Sequence, residues 1–264
     1  MAMLNIQHDI NINYRVDGSG SPAWLLFNGA TLPLEFWGSV AENLAQTSTV
    51  IRFDQRNAGD SQAEGAFTLN DTAADAAAIL AHLDVSEVIT VGHAWGGRAA
   101  QVFVRDYPHL VRGLVVCGTG GQFPPLLSSE VTKAMRKGAK TGDRPVWEAA
   151  LESAFCAEGY SQREPEGFAE IADLLWAKPP NNLARWDHRV SPSVSYWGSS
   201  SVPTLLLYGR EDKNGTPENA EDLAGRIPGS RLVFIEQAGH FVVREAPARV
   251  LEELLEFALA LEIE

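Results

Sequence analysis

Cysteine is scarce. The 264-residue chain has two, Cys117 and Cys156, too few for a disulfide framework, and Cys117, within the apolar run LVVC, reads as a buried thiol. No apolar run approaches the roughly 18 residues that cross a membrane as a helix. The N-terminal MAMLNIQHDI has no basic stretch followed by an apolar core, so no secretory leader is expected and the expected compartment is the cytoplasm. Positive charge is in deficit: 21 Lys and Arg stand against 34 Asp and Glu, a formal net charge of −13. Such a surface repels phosphate backbones and argues against nucleic acid as a partner. No His, Cys and carboxylate cluster has metal-ligand spacing, and no glycine-rich loop is of the P-loop or dinucleotide type. GTGGQ at residues 118–122 reads instead as a hinge. Neither a metal nor a cofactor is therefore expected.

The composition that remains, 45% hydrophobic and 21% charged, is that of an ordinary globular protein. ININYRV alternates like an early antiparallel strand. AWLLFNG, TVIRFD, SEVITVG and LVRGLVVCG are short apolar runs, the pattern of strands buried on both faces. Helical spacing fills the gaps in LEFWGSVAENLA, in a segment that Asn70, Asp71 and Thr72 would cap, and in WGGRAAQVFVRDYP. From residue 119 to about 200 the rhythm changes to Pro- and Trp-containing helical stretches, among them PVWEAALESAF and EGFAEIADLLWA. Then alternation resumes with PTLLLYG, TPENAEDLAGRI, SRLVFIE and the closing helix APARVLEELLEFALALE. Strands alternating with helices predict an α/β protein, a mostly parallel sheet with helices on both faces, carrying an inserted helical cap.

In such a sheet, ligands bind beyond the carboxyl ends of the strands. Three segments place chemistry there. Gly92-His93-Ala94-Trp95-Gly96 follows SEVITV and has the G-x-S-x-G pattern with Ala for Ser. A tight strand-to-helix turn needs glycine on either side of the displayed residue, and the amide of Trp95 would point where an oxyanion forms. Asp212 follows LLLYG, and His240 follows FIEQAG. The chain order is nucleophile position, acid, base. A carboxylate beside a histidine fixes its tautomer and stabilises the imidazolium, which makes that histidine a general base.

On these motifs the sequence resembles the α/β-hydrolase superfamily over nearly its whole length. The resemblance implies the α/β-hydrolase fold with an eight-stranded sheet, a core of residues 1–118 and 201–264, and a cap of residues 119–200. FNGAT matches the family's His-Gly segment, with Asn28 in place of His, and implies that Ala30 supplies the second oxyanion-hole amide. FDQRNAGDS matches the D-x-R-G-x-G-x-S loop, in which Asp54, Arg56 and Ser61 hold the loop. His93 matches the His of GHS and is expected to pack rather than react. His8, His82, His109 and His188 fall outside the three segments, with His188 a candidate for the cap lining.

Ala94 leaves several readings open. In the first, Ala94 replaces a serine by engineering, in a chain resembling esterases, lactonases and enol-lactone hydrolases. In the second, the alanine is natural, as in small hydrolases proposed to act on aminoacrylate or carbamate. DQR and NNLARW are similar to their segments, and His240 with Asp212 would act on water or on a labile substrate directly, as in a cofactor-free lyase or oxygenase. In the third, an aspartate has been lost from position 94 by engineering: GHDWGG, with Trp after the nucleophile, resembles haloalkane dehalogenases and epoxide hydrolases, and Trp95 matches the halide-binding Trp. A fourth is a non-catalytic ligand-binding protein. Trp37, Trp147, Trp176 and Trp186, with Trp197, Phe155 and Phe168, suggest an apolar, ring-containing small-molecule substrate. No membrane partner is expected, and the state expected is monomer or homodimer.

Overall fold

The computed structural model describes residues 2–263 other than 8, 64, 178–197 and 199. Trp186, Trp197, His188, His8 and the NNLARW segment therefore lie outside the described residues. In chain order the elements are β1 (Ala2–Gln7), β2 (Ile10–Asp17), β3 (Ala23–Phe27), α1 (Gly38–Leu44), β4 (Thr49–Phe53), α2 (Leu69–His82), β5 (Val88–His93), α3 (Trp95–Asp106), β6 (Val111–Cys117), α4 (Ser129–Thr141), α5 (Arg144–Phe155), α6 (Tyr160–Arg163), α7 (Pro165–Ala177), β7 (Thr204–Gly209), α8 (Pro217–Arg226), β8 (Arg231–Ile235), α9 (Val242–Glu245) and α10 (Pro247–Ile263).

The eight strands form one sheet in the order β1-β2-β4-β3-β5-β6-β7-β8. β1 and β2 pair antiparallel, as do β2 and β4, and every later pairing is parallel. This is the α/β-hydrolase fold. Successive side chains of a strand point to opposite faces, and the core divides accordingly. Leu25, Phe27, Ile51, Phe53, Leu114 and Leu206 pack with α2, α3 and α8 on one face. Trp24, Leu26, Val50, Val91, Val115 and Leu205 pack with α1 and α10 on the other. Both faces are covered, so the central strands are apolar throughout. Between β6 and β7 the regular elements of the described residues are all helical.

Two local details differ from the sequence reading. The cap of α2 is Thr68, not Asn70 to Thr72. The Thr68 hydroxyl accepts from the Asp71 amide, and the Asp71 carboxylate accepts from the Thr68 amide, a reciprocal box that satisfies two otherwise open donors. Trp37, expected in the substrate site, is fully buried in the face that contains α1, and its indole Nε1 donates to Asn28 Oδ1 at 2.7 Å. Trp37 is a core residue: the short 3-10 turn Leu34–Trp37 buries it in the cluster that holds Trp24 and Leu26 of β3.

Register aligns the carboxyl ends. Phe27 pairs with Gly92, His93 with Cys117, Cys117 with Leu207, and Gly209 with Ile235. Residues just beyond β3, β5, β7 and β8 therefore meet along one edge of the sheet. His93 closes β5 with no exposed surface, its ring 5.3 Å from Phe36 and its Nε2 2.8 Å from the carbonyl oxygen of His240. The carbonyl accepts, so the proton sits on Nε2. Burial pushes His93 down to about 3 from its ordinary 6.5.

The sign of that shift gives a pH dependence. Between about 6.5 and 3 the unfolded chain takes up a proton at His93 that the folded chain refuses, so this residue's contribution to stability is lost as pH falls through that window. Glu245, raised to about 7, acts in the opposite sense between about 4.5 and 7, which is why the comparison must be with a variant. His93→Gln is expected to have a flatter acid limb than the parent in urea-unfolding titrations, by roughly 1 kcal/mol per pH unit. Parallel curves would contradict the neutral, buried assignment.

Candidate active site

The turn from β5 into α3 is crowded with backbone. A Cβ at Gly92 would overlap Gly96 and Gly97, one at Gly96 would overlap the carbonyls of Phe27 and Asn28, and one at Gly97 would overlap the Thr119 hydroxyl. The glycines of GHAWGG are thus required by contact between α3, β5 and the end of β3. Between them Ala94 takes φ 51° and ψ −116°, a conformation that a residue with a Cβ rarely adopts. It is held by three hydrogen bonds. Its N–H donates to Cys117 O at 2.8 Å, and its carbonyl accepts from Gly97 N at 3.0 Å and Thr119 Oγ1 at 2.9 Å.

Asp212 lies three residues past the end of β7 and is buried. Its Oδ1 accepts from the amides of Asn214 (2.7 Å) and Gly215 (2.9 Å). Both carboxylate oxygens lie 3.0 Å from His240 Nδ1, so Nδ1–H donates to the carboxylate and Nε2 carries the lone pair. The His240 main chain is equally fixed, with N–H donating to Phe155 O at 2.8 Å and the carbonyl accepting from His93. Every polar atom of His240 except Nε2 is thereby engaged. That leaves Nε2 for chemistry.

His240 opens into a cavity of about 570 Å³ that Ala94 and Ala30 also line. The rest of the wall is mainly apolar and comes largely from the inserted helices: Met135, Trp147, Leu151, Phe155, Leu175 and Trp176, with Leu32 and Phe241 from the core. Trp147 and Trp176 meet edge to face at 5.1 Å. Among the described residues the further polar side chains of the wall are few, namely Thr31, Arg136 and Asn214. The Trp95 indole is not in this wall. It packs edge-on against Phe67 at 5.9 Å, on the α2 and α3 side of the sheet, so only its backbone faces the turn. Phe155 is in the wall and Phe168 is not; Phe168 packs against the core.

Neighbouring residues hold the loops. Asn28 is buried, with Nδ2 donating to Leu32 O (3.1 Å) and Phe53 O (2.9 Å), while its own carbonyl accepts from Gln55 Nε2. This network fixes the segment that carries Ala30. Asp54 accepts from Asn13 Nδ2, Leu34 N and Asp60 N, and Arg56 makes a two-pronged bond to Asp75 at 2.7 and 2.8 Å. Sequence reasoning did not single out Phe241, Met135 or Asn214, because apolar residues and a loop Asn carry no signal until the cavity exists. It also missed Glu245, a partly buried carboxylate beside the His240 loop, pushed up to about 7 by the desolvation of its carboxyl group. Among the described residues no group of His, Cys, Asp and Glu could hold a metal ion, and no helix is long and apolar enough to cross a membrane.

Comparison with known proteins follows the same lines. Residues 22–247 match the model of the alpha/beta hydrolase fold family. The structure superimposes on that of a thermophilic esterase from Thermogutta terrifontis with a TM-score of 0.79 and 28% identity, covering 98% of this chain and 97% of the other. An enol-lactonase from Burkholderia xenovorans LB400 shares the fold with a TM-score of 0.74 at 22% identity, covering 94% and 96%. A soluble epoxide hydrolase of Corynebacterium is 25% identical over 97% of this chain and 95% of its own. With matched residues that take in β3 to β8, the turn at Ala94, and both Asp212 and His240, the chain belongs to the α/β-hydrolase family.

Proposed function

We propose that this protein is a hydrolase-type enzyme for an apolar, ring-containing carboxylic ester or lactone, with Asp212 and His240 as its acid–base pair and residue 94 at the nucleophile position. One observation carries the reading: His240, fixed on all sides but Nε2, opens into the same apolar cavity that Ala94 and Ala30 line. The amides of Ala30 and Trp95 would meet the oxygen that gains charge when the acyl carbon becomes tetrahedral. Cavity size supports a substrate of this class, since about 570 Å³ of mainly apolar wall suits a ring or short chain and offers little to a small polar carbamate. The similarity to an esterase and an enol-lactonase points the same way.

With a serine at position 94, the hydroxyl would attack the acyl carbon while His240 Nε2 takes its proton and later returns it to the leaving alkoxide. Water would then release the acyl group by the same route. Alanine has no such hydroxyl, so the chain with Ala94 forms no acyl-enzyme. The intact Asp212–His240 pair, with His240 lining the same cavity as Ala94, favours a second reading for this chain itself. Nε2 takes a proton from water as that water attacks a labile enol ester or lactone, the two amides hold the oxyanion, and the imidazolium protonates the departing oxygen. Loss of an aspartate of the dehalogenase type is disfavoured, because the Trp95 indole lies outside the cavity wall.

Two experiments follow. Ala94→Ser is expected to raise hydrolysis of p-nitrophenyl butyrate by at least about 10³-fold, the scale on which removal of a nucleophile lowers it; an unchanged rate would sink the acyl-enzyme reading. The chain with Ala94 is expected to hydrolyse an enol-lactone above the buffer rate, and His240→Ala to abolish that excess. Persistence of the excess in His240→Ala would remove the direct general-base route.

A further inference from the structure

Glu245, at the end of α9, is a partly buried carboxylate that the chemistry above does not use. Its Oε2 accepts two main-chain N–H groups, that of Gly239 at 3.0 Å and that of Ala157 at 2.7 Å. Gly239 is the residue before His240. Ala157 follows the end of α5 in the inserted helical segment. One carboxylate oxygen therefore joins the base loop to that segment across 88 residues of sequence from Ala157 to Glu245.

Other bonds converge on the same junction. The Phe155 carbonyl accepts from both His240 N (2.8 Å) and Phe241 N (3.2 Å). Lys213 Nζ and Asn214 Nδ2 donate to the carbonyls of Ser153 and Ala154, each at 2.9 Å. These carbonyls belong to the last turn of α5, which has no further helical amides to receive. The Phe155 ring stacks on Phe241 at 5.0 Å and 12°. A Cβ at Gly239 would overlap the Cys156 and Ala157 backbone, so the two segments are in main-chain contact. The residues that follow Asp212 and those that flank His240 are thus both anchored on one stretch, Ser153 to Ala157.

We propose that Glu245 is a positioning residue for His240, clamping the peptide before the base to the inserted helices so that cap and acid–base pair form one unit. The proposal rests on the reading of His240 as general base given above. Two donors meet a single partly buried acceptor there, and removing it leaves both N–H groups unpaired at the point where the imidazole is aimed. Because burial pushes Glu245 up to about 7, Gln is a close mimic of its protonated form and retains an acceptor oxygen.

Glu245→Ala and Glu245→Gln are to be made in the Ala94→Ser protein and in the parent. In the Ala94→Ser background, Glu245→Ala is expected to lower kcat on p-nitrophenyl butyrate about 10²-fold, the cost of slight misplacement of a catalytic group, with KM within about threefold, and Glu245→Gln to recover most of kcat. In the parent the readout is the hydrogen-bonded Nδ1 proton of His240 in the proton NMR spectrum. It is expected to exchange faster in Glu245→Ala and at the parental rate in Glu245→Gln. Should Glu245→Ala fail to fold, Glu245→Asp, one methylene shorter, takes its place with the same expectations. Parental kcat and proton exchange in Glu245→Ala, or no recovery in Glu245→Gln, would overturn the proposal. An inactive Ala94→Ser protein would count against the proposed function alone, since the NMR comparison needs no turnover.

Discussion

Residue 94 stands at φ 51° and ψ −116° because nothing else fits. The carbonyls of Phe27 and Asn28 press on α3 at Gly96, and the start of α3 presses back on β5 at Gly92. The chain can pass between them only by a sharp reversal at a single residue, which costs on the order of 1–3 kcal/mol of backbone strain. The surrounding hydrogen bonds from Cys117, Gly97 and Thr119 offset that strain. Ala30 and Ala94 line the same cavity. On the proposed reading, an alanine there retains all of this geometry and supplies no nucleophile.

Around that turn, the proposed acid and base, Asp212 and His240, are held by backbone more than by side chains. Asp212 is oriented by two amides of its own loop, and His240 by the carbonyl of Phe155 and the imidazole of His93. His93 does this as a neutral group, since burial disfavours its cation. An unprotonated Nδ1 has no partner among the described residues and faces Gly29, where a Cβ would crowd it. The elbow, the base loop and the segment after β3 therefore share one buried imidazole, and the helical insert supplies both the cavity wall and a support for the base.

Much of this was readable from residues alone, for physical reasons. Strands buried on both faces are continuous apolar runs, so AWLLF, TVIRF, VITVGH and TLLLYG announce themselves, and their alternation with helices fixes a mostly parallel sheet. β1 did not stand out, because an edge strand with exposed side chains needs little apolar pattern. Glycines flanking Ala94 could be read because backbone contact leaves a compositional trace. Trp37 was misjudged because nearness in sequence to the Ala30 segment says nothing of side-chain direction; its indole reaches Asn28 in the core. The true cap of α2, Thr68 with Asp71, had a sequence signature that a reading centred on Asn70 passed over. Glu245 had none, and neither did the Phe155 carbonyl as an anchor for His240, because both depend on a contact between segments far apart in the chain.

The central claim is that residue 94 lies where His240 can activate it, at the floor of the apolar cavity. Labelling with an alkyl fluorophosphonate, followed by peptide mass mapping, tests this most directly, since the reagent reacts with a hydroxyl only when a neighbouring base draws off its proton. The account predicts that a serine introduced at position 94 becomes the labelled residue, and that replacing His240 by alanine in that protein suppresses the label. An unlabelled serine, or a label found elsewhere on the chain, would contradict it.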